Sequence, residues 1–255
     1  MGDEVRVQSG RAGWHRRARV AWAVVSVFAV ESLIIGLAVL PAVSFWTWHY
    51  GWTGLPTGIR IVVMAMAFVP AYLLFAAGLM VYSAAATRLL GWRTRAGIET
   101  RIADFEWPLL DWARYMVTTH VVRLFAGATF RSTPMWVLYM RLNGAHIGRR
   151  VWVNSLSLMD HNLLELGDGS VIGSDAHLAG HIVERGVLRT APVRIGRGVT
   201  VGIGTVIEIG VEIGDHSHIG ALSVVPKHTK LDAGGQYGGV PVQRISRQSH
   251  SSPMA

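Results

Sequence analysis

Branched aliphatic residues recur at every sixth position over a long stretch in the C-terminal half of the chain. The recurring positions are Ile195, Val201, Ile207, Ile213, Ile219 and Val225. An amphipathic helix repeats its apolar residues every three or four positions and a strand every second one, so neither explains a period of six. Self-similarity at a short fixed period is typical of solenoids, in which successive units stack on one another.

Other positions of the hexad follow the same rule. The second position is usually glycine, and the fifth is small at Val199, Thr205, Val211, Ser217, Ser223 and Thr229. The pattern extends backward through Ile147, Val153 and Met159 and then, after a slip of one residue, through Leu166, Ile172 and Leu178. Thirteen hexads therefore fall between Ile147 and Leu231.

A triangular coil explains this period, because its three short strands and three turns use three hexads. The first-position aliphatic side chain points inward and stacks on its counterpart one coil away, at the spacing of neighbouring strands. Glycine adopts turn angles closed to other residues, and a small fifth residue fits a narrow interior. We therefore predict an all-β left-handed parallel β-helix over residues 145–246, preceded by a transmembrane hairpin and interfacial helices.

One stretch interrupts the hexads. Leu178 and Ile195 are 17 residues apart, which exceeds two hexads by five. The intervening sequence AGHIVERGVLRTAPV must therefore leave the coil as a loop.

Two apolar runs lie near the N-terminal end, at about residues 20–46 and 61–83. Each is long enough to cross about 30 Å of hydrocarbon as a helix. No small-residue cleavage site follows a short apolar core, so we expect a retained anchor and not a signal peptide. Glu31 falls in the middle of the first run, where a carboxyl group must be protonated or face protein. The alternative is a pair of buried helices in a soluble protein.

Charge indicates how these helices are oriented. The chain has 22 arginines and two lysines, and its formal net charge is +8. Arginines flank the outer ends of both runs, at Arg6, Arg11, Arg16, Arg17 and Arg19 and again at Arg88, Arg93 and Arg95. Trp46, Trp48, Tyr50 and Trp52 crowd the connection between the runs, as aromatic residues do at a bilayer surface. We therefore expect an integral membrane protein, in a bacterial inner membrane, with both termini and the β-helix in the cytoplasm.

The predicted order is a basic cytoplasmic tail (1–19), a two-helix transmembrane hairpin (20–86), interfacial helices (87–144), the β-helix domain (145–246) and a disordered tail (247–255). Within 87–144, Asp111, Arg114 and Thr118 suggest one polar helix face. The chain has no cysteine, which excludes disulfides, zinc–thiolate sites and thiol nucleophiles. Nothing indicates nucleic-acid binding, since no stacking aromatic residues alternate with the basic clusters.

The stretch AHLAGHIVERGVLRTAPVRIGRGVTVGIGTVI and the closing YGGVPVQRI resemble the hexapeptide-repeat acyltransferases, such as maltose and xenobiotic O-acetyltransferases. The likeness covers residues 145–246. It implies a histidine that opens an external loop, at His181, and a thioester co-substrate with no tightly bound cofactor. The chain departs from the family at GGVPVQRI, where Gly-Asn-Pro-Ala before a basic residue is more usual, which puts the CoA site in question.

A narrower likeness is to the C-terminal region of ε-poly-lysine-synthetase-like nonribosomal peptide synthetases, which alternates pairs of transmembrane helices with such soluble domains. HIVERGVL is similar to their His-Leu-Phe-Glu-Asp-Arg loop through His181, Glu184 and Arg185. This likeness implies nonribosomal peptide synthesis, with amide formation from a carrier-protein thioester. Because hexapeptide β-helices usually trimerise, we predict a homotrimer, with a carrier protein or a peptide synthetase as a further partner.

His181 is the candidate general base, because acyl transfer to an amine or hydroxyl needs a proton acceptor and imidazole suits neutral pH. Glu184 or Asp160 is the candidate to orient its ring. Gly202 and Gly204, in VGIGT, would allow a pantetheine arm or an oxyanion to approach the backbone. Lys227 and Arg244 would bind the phosphates of that arm.

Three alternatives stay open. The first is a CoA-dependent O-acetyltransferase. The second is a non-catalytic membrane scaffold subunit that kept the coil and lost the chemistry. The third is a metal site like that of the γ-class carbonic anhydrases, drawn from His161, His177, His181, His216 and His218; the spacing of these histidines departs from that family's pattern, and we expect no metal.

Overall fold

The structure, a computed structural model, describes residues 2–52 and 54–245, with side chains from residue 13 onward. The predicted disordered tail lies outside the described residues. The chain divides into two compact units. The first holds the chain up to Phe130 together with Leu138–Asn143 and Val183–Arg189, and the second holds Arg131–Val137, Gly144–Ile182 and the chain from Thr190 onward.

Helices dominate the first unit. Helix α1 spans Gly2–Tyr50 and α2 spans Thr57–Leu89, so both run beyond the predicted apolar stretches, and α1 includes the predicted basic tail. Both are long and apolar enough to cross a membrane. They pack through small residues: a Cβ on Gly78 would lie 3.3 Å from Ala38 Cα. Close approach of this kind is typical of helices that associate in lipid.

Three further helices follow, α3 at Trp107–Val122, the single turn α4 at Ala128–Phe130 and α5 at Pro134–Leu142. A π-helical segment, Arg123–Gly127, joins α3 to α4. Of the polar residues predicted to share one face of α3, Arg114 and Thr118 are buried. Arg114 pairs with Asp111 at 3.2 Å, and its guanidinium lies 5.3 Å from each of two tryptophan rings.

Parallel strands make up most of the second unit, in three sheets. The six-stranded sheet contains β3 (Trp152–Val153), β5 (Val171–Ile172), β10 (Thr200–Val201), β13 (His218–Ile219), β16 (Gln236–Gly238) and the antiparallel β17 (Gln243–Arg244). The five-stranded sheet contains β2 (His146–Ile147), β4 (Leu164–Leu166), β9 (Val193–Ile195), β12 (Glu212–Ile213) and β15 (Lys230–Leu231). The three-stranded sheet contains β6 (His177–Leu178), β11 (Val206–Ile207) and β14 (Val224–Val225).

The strand pairing has the predicted period. From β9 onward the chain passes through the three sheets in turn, and each strand from β9 to β13 pairs with one that lies 18 residues, or three hexads, further on. In this way Ile195 pairs with Ile213, and Val201 with Ile219. The six recurring aliphatic residues from Ile195 to Val225 are all buried, as predicted for inward-pointing side chains.

One predicted inward position is wrong. Leu158, not Met159, is buried at 2% exposure, and it bridges Leu178 of the neighbouring coil. The coil therefore loses its hexad register one residue earlier than the sequence suggested. The reason lies just beyond, where Asp160 adopts a left-handed backbone conformation, with φ 54°, and a short 3₁₀ turn follows at His161–Leu163.

The loop that interrupts the hexads is a β-hairpin. Its strands are β7 (His181–Glu184) and β8 (Val187–Thr190), and they form a three-stranded sheet with β1 (Glu99–Arg101), in the order β1-β8-β7. The two residues between β7 and β8, Arg185 and Gly186, both have positive φ, 50° and 75°. Two consecutive left-handed residues form the tight turn that suits the twist of a two-stranded hairpin.

Two glycines at equivalent places on successive coils provide a stability prediction. A Cβ on Gly202 would lie 2.5 Å from the backbone nitrogen of Ala221, whereas a Cβ on Gly220 would lie 3.5 Å from its closest neighbour, the Tyr237 carbonyl oxygen. We therefore expect Gly202→Ala to destabilise the protein by about 3 kcal/mol, as overpacking does, and Gly220→Ala to have little effect. Chemical denaturation of the two full-length variants measures the difference, and equal midpoints would contradict it.

Candidate active site

The structure brings Asp160 and His181 into contact. The His181 Nδ1 atom lies 2.5 Å from Asp160 Oδ2, within the distance of a strong, charge-assisted hydrogen bond. The Asp160 side chain is completely buried, and the His181 side chain is 17% exposed. The imidazole is therefore fixed on one side by the carboxylate and still reaches the surface.

Local backbone geometry produces this contact. The left-handed conformation of Asp160 suits a residue whose short polar side chain bonds to nearby backbone. The same Oδ2 atom also accepts a hydrogen bond from the Gly180 amide at 3.1 Å. A Cβ on Gly180 would lie 2.8 Å from the Leu163 side chain and 3.1 Å from Asp160 Cβ. Glycine is therefore required immediately before the histidine.

The chemistry of the two groups sets the proton positions. An ionised carboxylate only accepts hydrogen bonds, so a neutral His181 donates its Nδ1 proton to Asp160. Two donors on Asp160 Oδ2 offset part of the cost of burying its charge. In this tautomer Nε2 carries the lone pair, which makes it the ring nitrogen that can accept a proton.

Two further residues lie near this pair: His161, which was named only for the metal alternative, and Trp136, which the sequence reasoning missed. His161, next to Asp160 in the chain, is buried, and its ring stands edge-on to Trp136 with centroids 6.4 Å apart. The Trp136 indole donates a hydrogen bond to the Ser155 carbonyl at 3.2 Å. Gly180 could have been identified from the sequence, because it directly precedes His181, the histidine that opens the loop. Trp136 precedes the repeats, and no local pattern connects it to the site.

The other predicted orienting group, Glu184, has a different partner. Its Oε2 atom lies 3.7 Å from the Arg189 guanidinium, across the β7–β8 hairpin. Of the two carboxylates that the sequence offered for the histidine, the structure therefore places Asp160 on the ring and Glu184 in the hairpin.

Gly202 and Gly204 are explained by the coil itself. The Gly202 amide donates to the Ile219 carbonyl at 2.8 Å, and the Gly204 amide donates to the Ser174 carbonyl at 2.9 Å. Gly204 has a φ of 63°, so its conformation also favours glycine. Both amides are used in bonds between coils, so neither is available to an oxyanion, and a role for these glycines in approach of a ligand stays a prediction.

The two predicted phosphate-binding residues lie on the surface of the second unit. Lys227 is exposed in the turn between β14 and β15, where its amide donates to Glu208 Oε2 at 2.9 Å. Arg244 is exposed on β17. A role for either residue in binding phosphates stays a prediction.

The other histidines considered for a metal site lie at separate places along the coil. His177 begins β6, His216 lies in a turn with φ 58°, and His218 begins β13. Within residues 2–52 and 54–245, no three histidine or carboxylate side chains are grouped so that they could hold a metal ion.

Known proteins resemble parts of this chain. The δ-poly-L-ornithine synthetase of Acinetobacter baumannii is 29% identical over 141 residues, which are 55% of this chain and 10% of the synthetase. The galactoside O-acetyltransferase of Escherichia coli is 38% identical over 90 residues, which are 32% of this chain and 44% of that enzyme. The chain thus spans less than half the length of either curated relative. No protein-family model matches it.

Solved structures resemble it as well. A galactoside acetyltransferase in complex with coenzyme A is 26% identical, with a TM-score of 0.35, over 45% of this chain and 72% of that one. A maltose O-acetyltransferase from Clostridium difficile is 19% identical, with a TM-score of 0.40, over 58% of this chain and 91% of that one. The resemblance recognised from the sequence is confirmed by the curated relatives, which are a galactoside O-acetyltransferase and a poly-amino-acid synthetase.

Proposed function

We propose that the protein is an acyltransferase that moves an acyl or aminoacyl group from a thioester to an amine, with His181 as general base and Asp160 as the group that orients it. The observation that carries the proposal is the contact between His181 Nδ1 and Asp160 Oδ2. The similarity of the chain to a galactoside O-acetyltransferase supports the reaction class, and solved relatives bind CoA or acetyl-CoA.

The proposed reaction needs one proton acceptor. As the acceptor nitrogen attacks the thioester carbonyl, Nε2 of His181 takes its proton. The tetrahedral intermediate then collapses, the carbon–sulfur bond breaks, and the imidazolium returns the proton to the departing thiolate. The Asp160 carboxylate stabilises the imidazolium between these steps and keeps the ring in the correct tautomer. The products are an amide and a free thiol, so no further reactant is required.

Two acceptor classes are supported by different relatives. Similarity to a poly-ornithine synthetase, whose name describes an amino-acid polymer, favours an amine acceptor and a donor on a carrier protein. Similarity to a galactoside O-acetyltransferase favours a hydroxyl acceptor and CoA as the donor. The His181–Asp160 pair serves either acceptor, because both lose one proton to the base.

The proposed architecture has two further parts. The rotation of the chain through three parallel sheets supports a left-handed β-helix. The exposure of α1 and α2 supports a helical hairpin in a bilayer. In their most apolar stretches only 22% and 17% of the residues are buried, whereas a core helix of a soluble protein is mostly buried. We also propose that both termini and the β-helix lie in the cytoplasm and that the protein is a homotrimer.

Turnover of a thioester panel by the full-length protein in detergent tests the reaction. The panel holds acetyl-CoA, longer acyl-CoAs and an aminoacyl carrier protein, each with an amine and an alcohol acceptor, and free thiol is measured. We expect thiol release that depends on the acceptor and amide product with the preferred amine. Ester product alone would support O-acylation. Failure of every donor under conditions where the protein is folded would overturn the proposal in favour of a scaffold.

A further inference from the structure

The hairpin that begins at His181 is joined to a strand from a distant part of the chain. Strand β1 pairs antiparallel with β8, with Glu99 opposite Arg189, Thr100 opposite Leu188 and Arg101 opposite Val187. The pairing continues past the end of β1, where the Ile102 amide donates to the Gly186 carbonyl at 2.9 Å. Strand β8 is thereby the central strand of three.

The third strand, β1, stabilises the β7–β8 hairpin. An isolated two-stranded hairpin is marginally stable in water, and a third strand with a buried face is what makes such a structure persist. Leu188 is completely buried, and Thr100, opposite it, is 6% exposed. The pairing therefore has a buried face of its own as well as backbone hydrogen bonds.

Arg189 connects all three strands through its side chain. Its guanidinium lies 2.7 Å from Glu99 Oε1 on β1 and 3.7 Å from Glu184 Oε2 on β7. The hydrogen bond and the negative charge of Glu99, with a smaller contribution from Glu184, raise the pKa of the Arg189 guanidinium above its ordinary value. The arginine stays charged at any working pH and bridges the two outer strands.

We propose that β1 and Arg189 hold the β7–β8 hairpin in the geometry that acyl transfer requires, which makes Arg189 a positioning residue for the reaction. Because His181 is the first residue of β7, loss of the third strand from the hairpin would also change the position of His181, the proposed base. The inference rests on the proposed function for its kinetic part. Its structural part, that Arg189 secures β1 to the hairpin, can be measured without any activity.

The chain offers a matched control for Arg189. Arg194 on β9 also lies between two glutamates, with its Nε atom 3.2 Å from Glu165 Oε1 and its Nη1 atom 3.1 Å from Glu212 Oε1. The two arginine side chains are similarly exposed, at 39% and 49%. Reversing the charge at either position disrupts one pair of ionic contacts, but only Arg189 lies in the hairpin.

The experiment compares Arg189→Glu, Arg189→Lys and Arg194→Glu in the full-length protein. Hydrogen–deuterium exchange of the peptides that contain residues 99–102 and 187–190 reports the pairing, and kcat and KM for the thioester report the chemistry. We expect Arg189→Glu to accelerate exchange in both peptides together and to lower kcat about ten- to hundredfold at unchanged KM, since a base displaced by about 1 Å loses that much rate. Arg189→Lys should recover most of the kcat, and Arg194→Glu should change neither measurement.

Each result has a defined meaning. Wild-type kcat and slow exchange in Arg189→Glu would overturn the inference, and so would an equal loss in Arg194→Glu. If the wild-type protein turns over no thioester, the proposed function fails, but the exchange comparison still decides whether Arg189 secures β1. Fast exchange of residues 99–102 in the wild-type protein would show that β1 does not hold the hairpin.

Discussion

Replacing His181 with alanine is expected to lower kcat for thioester-dependent acyl transfer by about 10²–10⁴-fold, the range that a general base contributes. The variant loses Nε2, the only ring nitrogen of His181 that is turned away from Asp160 Oδ2 in the described geometry. KM for the thioester should change little, because the imidazole acts on the acceptor. Steady-state kinetics of the full-length variant in detergent make the measurement, and added imidazole should restore part of the rate.

The control is His218→Ala. His218 is an exposed residue of the same parallel-strand unit, at the start of β13 and outside the proposed site. It should retain wild-type turnover. Because His181→Ala removes one donor from a buried carboxylate, its unfolding midpoint must be recorded alongside the kinetics. Wild-type kcat in His181→Ala would exclude this histidine as the base.

The strand pairing of the second unit could be predicted from the sequence because the coil is a local repeat. Each inward position depends on residues one coil away that occupy the same place in the hexad, so Ile195, Ile213 and Leu231 share one pattern. The same logic failed at Met159. There the left-handed turn at Asp160 displaces the register, and a single sequence does not reveal which aspartate adopts such a conformation.

The site was only half predictable for a related reason. The histidine stands out because it opens the interruption between Leu178 and Ile195. The carboxylate that contacts the histidine does not stand out in the same way. Glu184 is three residues from His181 and Asp160 is 21 residues from it, and these separations alone do not identify the partner. The fold of the coil brings Asp160 next to Gly180 and so next to His181. This contact depends on the hexad register, which the one-residue slip after Met159 hides in the sequence.

Strand β1 had no sequence signal at all. Its residues, Glu-Thr-Arg, are short and polar, and their pairing with β8 joins positions 90 residues apart. Similarly, the polar residues of α3 predicted a common face but did not reveal that Arg114 and Thr118 are buried. In both places long-range packing sets the structure, and hydrophobic periodicity carries no information about it.

Asp160→Asn is the variant that separates the charge of the carboxylate from its shape, and it is expected to lower kcat about a hundredfold. Asparagine tolerates the left-handed conformation of residue 160, and its carbonyl oxygen, in the place of Oδ2, can accept the hydrogen bonds of both the Gly180 amide and His181 Nδ1. The ring then keeps its Nδ1 proton and its tautomer, but it loses the negative charge that stabilises the imidazolium formed when Nε2 takes the acceptor's proton. The loss should appear in kcat, measured by thiol release, with little change in KM for the thioester.

The matched control for that variant is Asp168→Asn. Asp168 Oδ1 also accepts a backbone hydrogen bond, from the Arg149 amide at 2.7 Å, but at an exposed turn of the coil, so its variant tests the loss of such a carboxylate away from His181. If the charge of Asp160 serves catalysis, Asp160→Asn should lower kcat and Asp168→Asn should leave it unchanged, with both variants folded under the conditions of the assay. Equal kcat values in the two variants would mean that Asp160 only shapes the turn. His181 would then act without a carboxylate partner, and its bond to Asp160 Oδ2 would be a feature of folding alone.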